Sequence, residues 1–157
     1  MRVVPQSAAA RSSKPRGPNA RRHLPKAPAS PPPVTLSDQT AVVNEAVRYF
    51  GDHFDESIAL DAMAATLGVN EEWLDLCFDH CRGKTPYQAL QQVRLSRLFD
   101  RIAREPQCTL QQQVSRCGLS SVMSANHSFE DLFGIGLVPF RRVCRRAVAD
   151  RLGTHNP

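Results

Sequence analysis

Nowhere in this chain does an apolar run approach the roughly 18 to 20 residues needed to cross a bilayer, which excludes a helical membrane span. The five cysteines (Cys77, Cys81, Cys108, Cys117 and Cys144) are an odd set without the spacing of a disulfide framework, and nothing at the N-terminus resembles a secretory apolar region. A reducing cytoplasm is therefore the expected compartment, and an exported scaffold is not. Alternating β-branched runs joined by hairpin turns are also missing, so an all-α body is the economical expectation. Finally there is no Gly-x-Ser-x-Gly, no phosphate-binding glycine loop, no His-Glu-x-x-His and no paired carboxylates in a plausible pocket, and neither an enzyme nor a cofactor is expected.

What is present is unevenly distributed. Residues 1–37 alternate Pro, Ala, Ser and basic side chains, holding seven basic residues (Arg2, Arg11, Lys14, Arg16, Arg21, Arg22, Lys26) and no acidic one. Too few large apolar groups occur there to offset the entropy of ordering, so a disordered Pro/Arg-rich tail is expected. Such a tail is either a solvated linker or a source of non-specific attraction to phosphate. The formal charge of +5 is carried by this segment, because thirteen basic and fifteen acidic residues leave 38–157 at −2. A further disordered stretch is expected over 153–157.

From residue 38 to 152 apolar residues recur at helical spacing. Val43, Ala46, Val47, Phe50 and Phe54 mark a first helix. Leu60, Met63, Ala64 and Leu67 mark a second that stops at Gly68. Asn70 can cap a third carrying Leu74, Cys77 and Phe78, which ends near Gly83 and Pro86. Short helix, tight turn and second helix make a helix-turn-helix outline. No Gly or Pro interrupts Tyr87 to Arg104, where Leu90, Val93, Leu95, Leu98 and Ile102 predict one long helix. The pattern then repeats, with helices predicted at about Leu110–Arg116, Val122–Phe133 and Val138–Arg151. About seven helices result, as two helix-turn-helix units flanking one linker helix.

Cys77-x-x-His80-Cys81 is the one cluster with metal-ligand chemistry. Cys77 lies on the apolar stripe beside Phe78 and no second ligand pair follows, so a buried structural thiol is expected and no metal site.

The first unit, LDAMAATLGVNEEWLDLCFDHCRGKTPYQALQQVRL, resembles the first helix-turn-helix of the AraC/XylS family of transcriptional regulators. Ala64 stands at the small residue of the helix crossing, Gly68 at the turn, Asn70 at the cap, Leu74 and Phe78 at the buried anchors, and Gly83-Lys84-Thr85-Pro86 at the exit. Arg94-Leu95 falls where that family places Arg-Leu in its linker helix. The second unit, GLSSVMSANHSFEDLFGIGLVPFRR, resembles the family signature through Gly118, Ser120, Phe129, Phe133, Gly134, Phe140 and Arg141. The resemblance covers about residues 41–148. It departs from the family at Val114, Leu119, Ala125 and Leu137, all apolar changes of packing.

The resemblance implies a homeodomain-like, all-helical fold in which the second helix of each unit enters a major groove of double-stranded DNA, the two about one turn apart. Carried over by position, base contacts fall to Glu72, Asp75 and Leu76 in the first unit and to Val122, Met123, Asn126 and His127 in the second. Backbone contacts fall to Lys84, Tyr87, Arg94, Arg97 and Arg141. Glu71, Glu72, Asp75 and Asp79 make the first recognition helix acidic, which repels phosphate. In the second, Asn126 has the groups to pair with adenine and Val122 or Met123 to touch a thymine methyl. Arg94, Arg97, Arg101 and Arg104 share a helix face, as do Arg141 and Arg145, and such stripes track a DNA backbone or are ordinary solvated faces.

The leading expectation is thus a cytoplasmic, nucleoid-associated bacterial regulator that binds DNA as a monomer, without an effector-binding domain, and is controlled by abundance or by a partner such as RNA polymerase or another regulator. The alternative is a degenerate helical body that serves as a protein-interaction module, its DNA attraction residing in the tail.

Overall fold

The computed structural model describes residues 36–153, which belong to one compact unit. Seven helices run in the order α1 (Leu36–Asp52), α2 (Leu60–Thr66), α3 (Glu71–Arg82), α4 (Pro86–Arg104), α5 (Leu110–Arg116), α6 (Val122–Phe133) and α7 (Leu137–Gly153). Among the described residues there is no strand, and no helix is long and apolar enough to cross a membrane. The tail and C-terminal stretch otherwise lie outside the described residues, but the helices reach slightly past the expected boundaries. α1 already includes residues 36 and 37, and α7 includes Gly153.

Local chemistry sets each boundary. The Asn70 side chain accepts from the Trp73 N–H at 2.7 Å and starts α3, while Gly83 at φ 59° ends it by giving its own N–H to the Asp79 carbonyl. An L side chain is disfavoured at that dihedral, which is why glycine stands there. α4 opens with a capping box, Thr85 accepting from the Gln88 N–H and Gln88 accepting from the Thr85 N–H, with Pro86 at the first helical position. Thr109 and Gln112 repeat the box at α5. Ser121 caps α6, its hydroxyl accepting from the Ser124 N–H at 3.1 Å. α1 ends at Asp52, so Phe54, expected on its stripe, lies in the turn that follows.

Two apolar cores form, and α4 serves both. Val43, Ala46, Phe50, Met63, Ala64, Leu74, Cys77 and Phe78 meet Ala89 and Leu90 of the linker helix in the first. In the second, Leu98 and Ile102 of the same helix meet Val114, Phe129 and Leu137. Phe99 stacks on Phe140 with ring centroids 4.4 Å apart, and Phe129 lies 4.5 Å from Phe133, an aromatic knot that locks α4, α6 and α7. Complete burial of Ala64 and Ala125, at 0% and 3% exposure, lets the two helices of each unit cross closely.

Arg94 occupies the point where α4 passes from one core to the other. Its exposure is only 8%, its Nε donates to the Phe54 carbonyl at 2.7 Å, and its Nη2 donates to the Glu56 carbonyl at 2.8 Å. Gly118, the turn of the second unit at φ 69°, packs on the same spot: a Cβ there would stand 2.7 Å from the Phe54 oxygen and 3.0 Å from the Arg94 Nε. One guanidinium therefore ties the α1–α2 turn of the first half to the linker helix and the turn of the second half.

Candidate nucleic-acid interface

The helix that follows the turn in each unit, α3 or α6, presents a solvent-facing side built by helical spacing. On α3, Glu72, Asp75 and Leu76 are exposed, as are Glu71 and Asp79, and none of the four carboxylates takes part in an ion pair among the described residues. Leu74, Cys77 and Phe78 take the opposite side into the core. Burial raises the Cys77 thiol above its ordinary pKa, with the Cys81 thiol as a smaller cause, so the Cys-x-x-His-Cys cluster is split between core and surface. The exposed side of α3 is thus acidic, with one apolar side chain, Leu76.

On α6, Met123 is 85% exposed and His127, one turn later, has 85% of its side chain exposed. The His127 Nε2 lies 3.7 Å from an Asp131 carboxylate oxygen. Val122 is half-buried against the second core. Asn126 is half-buried. Its Oδ1 accepts the Leu137 N–H at 2.8 Å and so caps the start of α7, and bidentate pairing with adenine needs that oxygen free. Gly136 is packed beside it, a Cβ there meeting the same oxygen at 3.1 Å.

The expected backbone contacts divide in the same way. Lys84 and Tyr87 are exposed, Lys84 donating to Gln92 Oε1 at 2.7 Å. Arg94 is buried, and its Nε and Nη2 already donate to the Phe54 and Glu56 carbonyls. Arg97 is exposed, but it rests over the Phe54 ring at 5.4 Å and donates to the Gly51 carbonyl at 3.3 Å. Arg94 and Arg97 therefore lean on the first unit, Arg101 lies 3.9 Å from Glu105, and Arg104 is exposed. Arg141 and Arg145 both donate to the carbonyls of Pro106 and Gln107, Nε to Pro106 at 2.9 Å in each case. They buttress the α4–α5 connection, while Arg142 and Arg146 face solvent.

A cleft of about 310 Å³ between the start of α4 and α6 brings the expected Tyr87 and Arg94 together with polar groups that sequence reasoning did not assign, Gln91, Ser124 and Ser128. Gln91 and Tyr87 line one wall, Ser120, Ser124 and Ser128 the other, with Arg94 at its floor. The signal was present as serines one turn apart on α6 facing a glutamine of α4. Hydroxyl and amide donors with no carboxylate among these lining residues form a cradle of the kind that receives phosphate oxygens.

No family model and no curated protein sequence matches this chain. The fold, however, is shared with solved structures. A transcriptional regulator from Chromobacterium violaceum with an AraC-type DNA-binding domain superposes with a TM-score of 0.63 at 21% identity, over 69% of this chain and 96% of that one. A probable AraC family transcriptional regulator from Rhodopseudomonas palustris gives 0.60 at 19% identity, over 68% and 97%. The C-terminal domain of AraT, a response regulator from Geobacillus stearothermophilus, gives 0.58 at 18% identity, over 65% and 84%. Two helix-turn-helix units on one linker helix define the class of architecture. It is the fold of the AraC-type DNA-binding domain.

Proposed function

We propose that this protein is a sequence-specific DNA-binding regulator that engages successive major grooves as a monomer, with α6 as its principal reader. The observation that carries this reading is the pair Met123 and His127, one turn apart and almost fully exposed on the second helix of a helix-turn-helix. A thioether and an imidazole suit a thymine methyl and a guanine edge respectively. The Ser120, Ser124, Ser128, Gln91 and Tyr87 cleft supplies neutral donors for the backbone, and Lys84, Arg97 and Arg141 are its proposed cationic contacts elsewhere on the surface. The activity is binding rather than catalysis, in a cytoplasmic, nucleoid-associated setting. His127→Ala is expected to lower the preference for the selected site over random duplex by about tenfold, the effect of losing one base contact of 1–3 kcal/mol. Anisotropy titrations on both duplexes check it, and an equal loss on both would overturn the role of α6.

A second reading rests on the acidic α3. Glu71, Glu72, Asp75 and Asp79, exposed and outside ion pairs among the described residues, suit a basic protein surface better than DNA. On this reading the body is an interaction module, with RNA polymerase or another regulator as partner. Replacing Glu72 and Asp75 by Gln and Asn separates the two: tighter DNA binding by the doubly neutralised protein supports the first reading, and no change in DNA binding supports the second.

A further inference from the structure

On the side of the first unit formed by α1, the end of α3 and α4 lies a groove of about 880 Å³ that no part of the DNA-reading proposal uses, apart from Lys84 at its edge. Its floor is apolar. Val47 of α1 and Val93 of α4 are half-buried along it, each one helical turn from a residue of the first core beneath, Val43 and Ala89. Its rim carries the cations Arg82 and Lys84, with the His80 imidazole near Arg82. None of the described residues lining it is acidic.

The three side chains each have a neutral partner. His80 Nδ1 meets Gln39 Oε1 at 2.9 Å, Arg82 Nη2 donates to Asn44 Oδ1 at 3.4 Å, and Lys84 Nζ donates to Gln92 Oε1 at 2.7 Å. Amide oxygens orient a cation without cancelling its charge, and none of the three is in an ion pair among the described residues. The side chains are therefore positioned, and their field at the groove is uncompensated.

We propose that this groove docks an amphipathic helix of a partner protein whose apolar stripe is flanked by carboxylates. The groove opens to solvent along its length, whereas a small-molecule site encloses most of its ligand. One half-buried valine on each of two neighbouring helices, Val47 and Val93, offers apolar contact to the i, i+3, i+4 and i+7 stripe by which a helix lies in a groove. Charge complementarity then selects acidic flanks over basic ones. The surface is separate from α6, so it allows DNA and a partner to be held together, and it stands or falls independently of DNA binding.

The test uses the full chain and two fluorescent 14-residue helical peptides carrying Leu at i, i+3, i+4, i+7 and i+11, with Glu at the flanks in one and Lys in the other. The acidic peptide is expected to bind at least about tenfold more tightly than the lysine peptide, equivalent to about 1.4 kcal/mol. Amide shifts should centre on Val47 and Val93. Arg82→Glu and Asn44→Glu, both at exposed positions and in contact with one another, should each weaken binding severalfold while lowering the melting temperature by no more than about 5 °C. Absence of binding, equal affinity for both peptides, or binding that survives both substitutions would overturn the proposal. So would octanoate occupying the groove where the peptide does not, which would make it a site for a small anion instead.

Discussion

Replacing Arg94 by Ala removes two charge-assisted hydrogen bonds, to the Phe54 and Glu56 carbonyls at 2.7 and 2.8 Å. Bonds to charged groups contribute about 1.5–3 kcal/mol each, and two carbonyls left part-buried without donors add a desolvation cost. Some of that loss is recovered by water entering the neighbouring cleft, which favours the lower end of the range. A destabilisation of about 3 kcal/mol is expected, which for a body of this size lowers the melting temperature by roughly 10 °C or more. Arg94→Lys keeps the charge but replaces a planar fork by a single ammonium, so an intermediate loss is expected. Thermal and urea unfolding of the full chain, followed by circular dichroism, measures both. If instead Arg94 were a free phosphate ligand, Arg94→Ala would leave the melting temperature within about 2 °C of the parent and reduce the salt slope of DNA binding by about one. That result would refute the junction role.

Gly118→Ala combines a left-handed dihedral with a Cβ placed 2.7 Å from the Phe54 carbonyl oxygen, whereas at Gly134, φ 72°, nothing lies within 4 Å of the new atom. Gly134→Ala should cost about 1 kcal/mol, the conformational term alone, and Gly118→Ala at least twice as much, in parallel urea titrations. Burial raises the Cys117 thiol from 9.0 to about 11. Between those values the unfolded chain has released this proton and the folded chain retains it, so stability should fall as pH rises through the window, and Cys117→Ala should flatten that part of the profile. At pH 8 Cys117 should also resist a thiol-reactive dye that labels the half-buried Cys108, a difference that mass spectrometry of the digested protein reads directly.

Helix existence was legible because the signals are local. The spacing of Leu74, Cys77 and Phe78, the cap at Asn70, and the stops at Gly83 and Gly134 each act within one or two turns. The same holds for α4, where the lack of Gly or Pro after Pro86 leaves nothing to interrupt the helix. The roles of the polar side chains were not legible, because their partners are remote in sequence. Arg94 reads as one member of an exposed basic stripe until Phe54, forty residues earlier, is folded against it. Asn126 reads as an adenine partner until the α7 N-terminus takes its oxygen. Arg141 and Arg145 likewise gain their carbonyls from a connection more than thirty residues away. Positional transfer from a family places residues on helices correctly and says little about which donors remain free.

The acidic α3 and the exposed Met123 and His127 of α6 divide the two units by chemistry, and base reading by α6 is the claim on which the functional account depends. Selection from randomised duplexes with the full chain, beside the Met123→Ala/His127→Ala double variant, tests it most directly. The account predicts one enriched motif for the parent, bound at least about a hundredfold more tightly than a scrambled duplex at physiological salt, and loss of that enrichment in the variant although it remains folded. No motif from the folded parent, or the same motif from the variant, would contradict it.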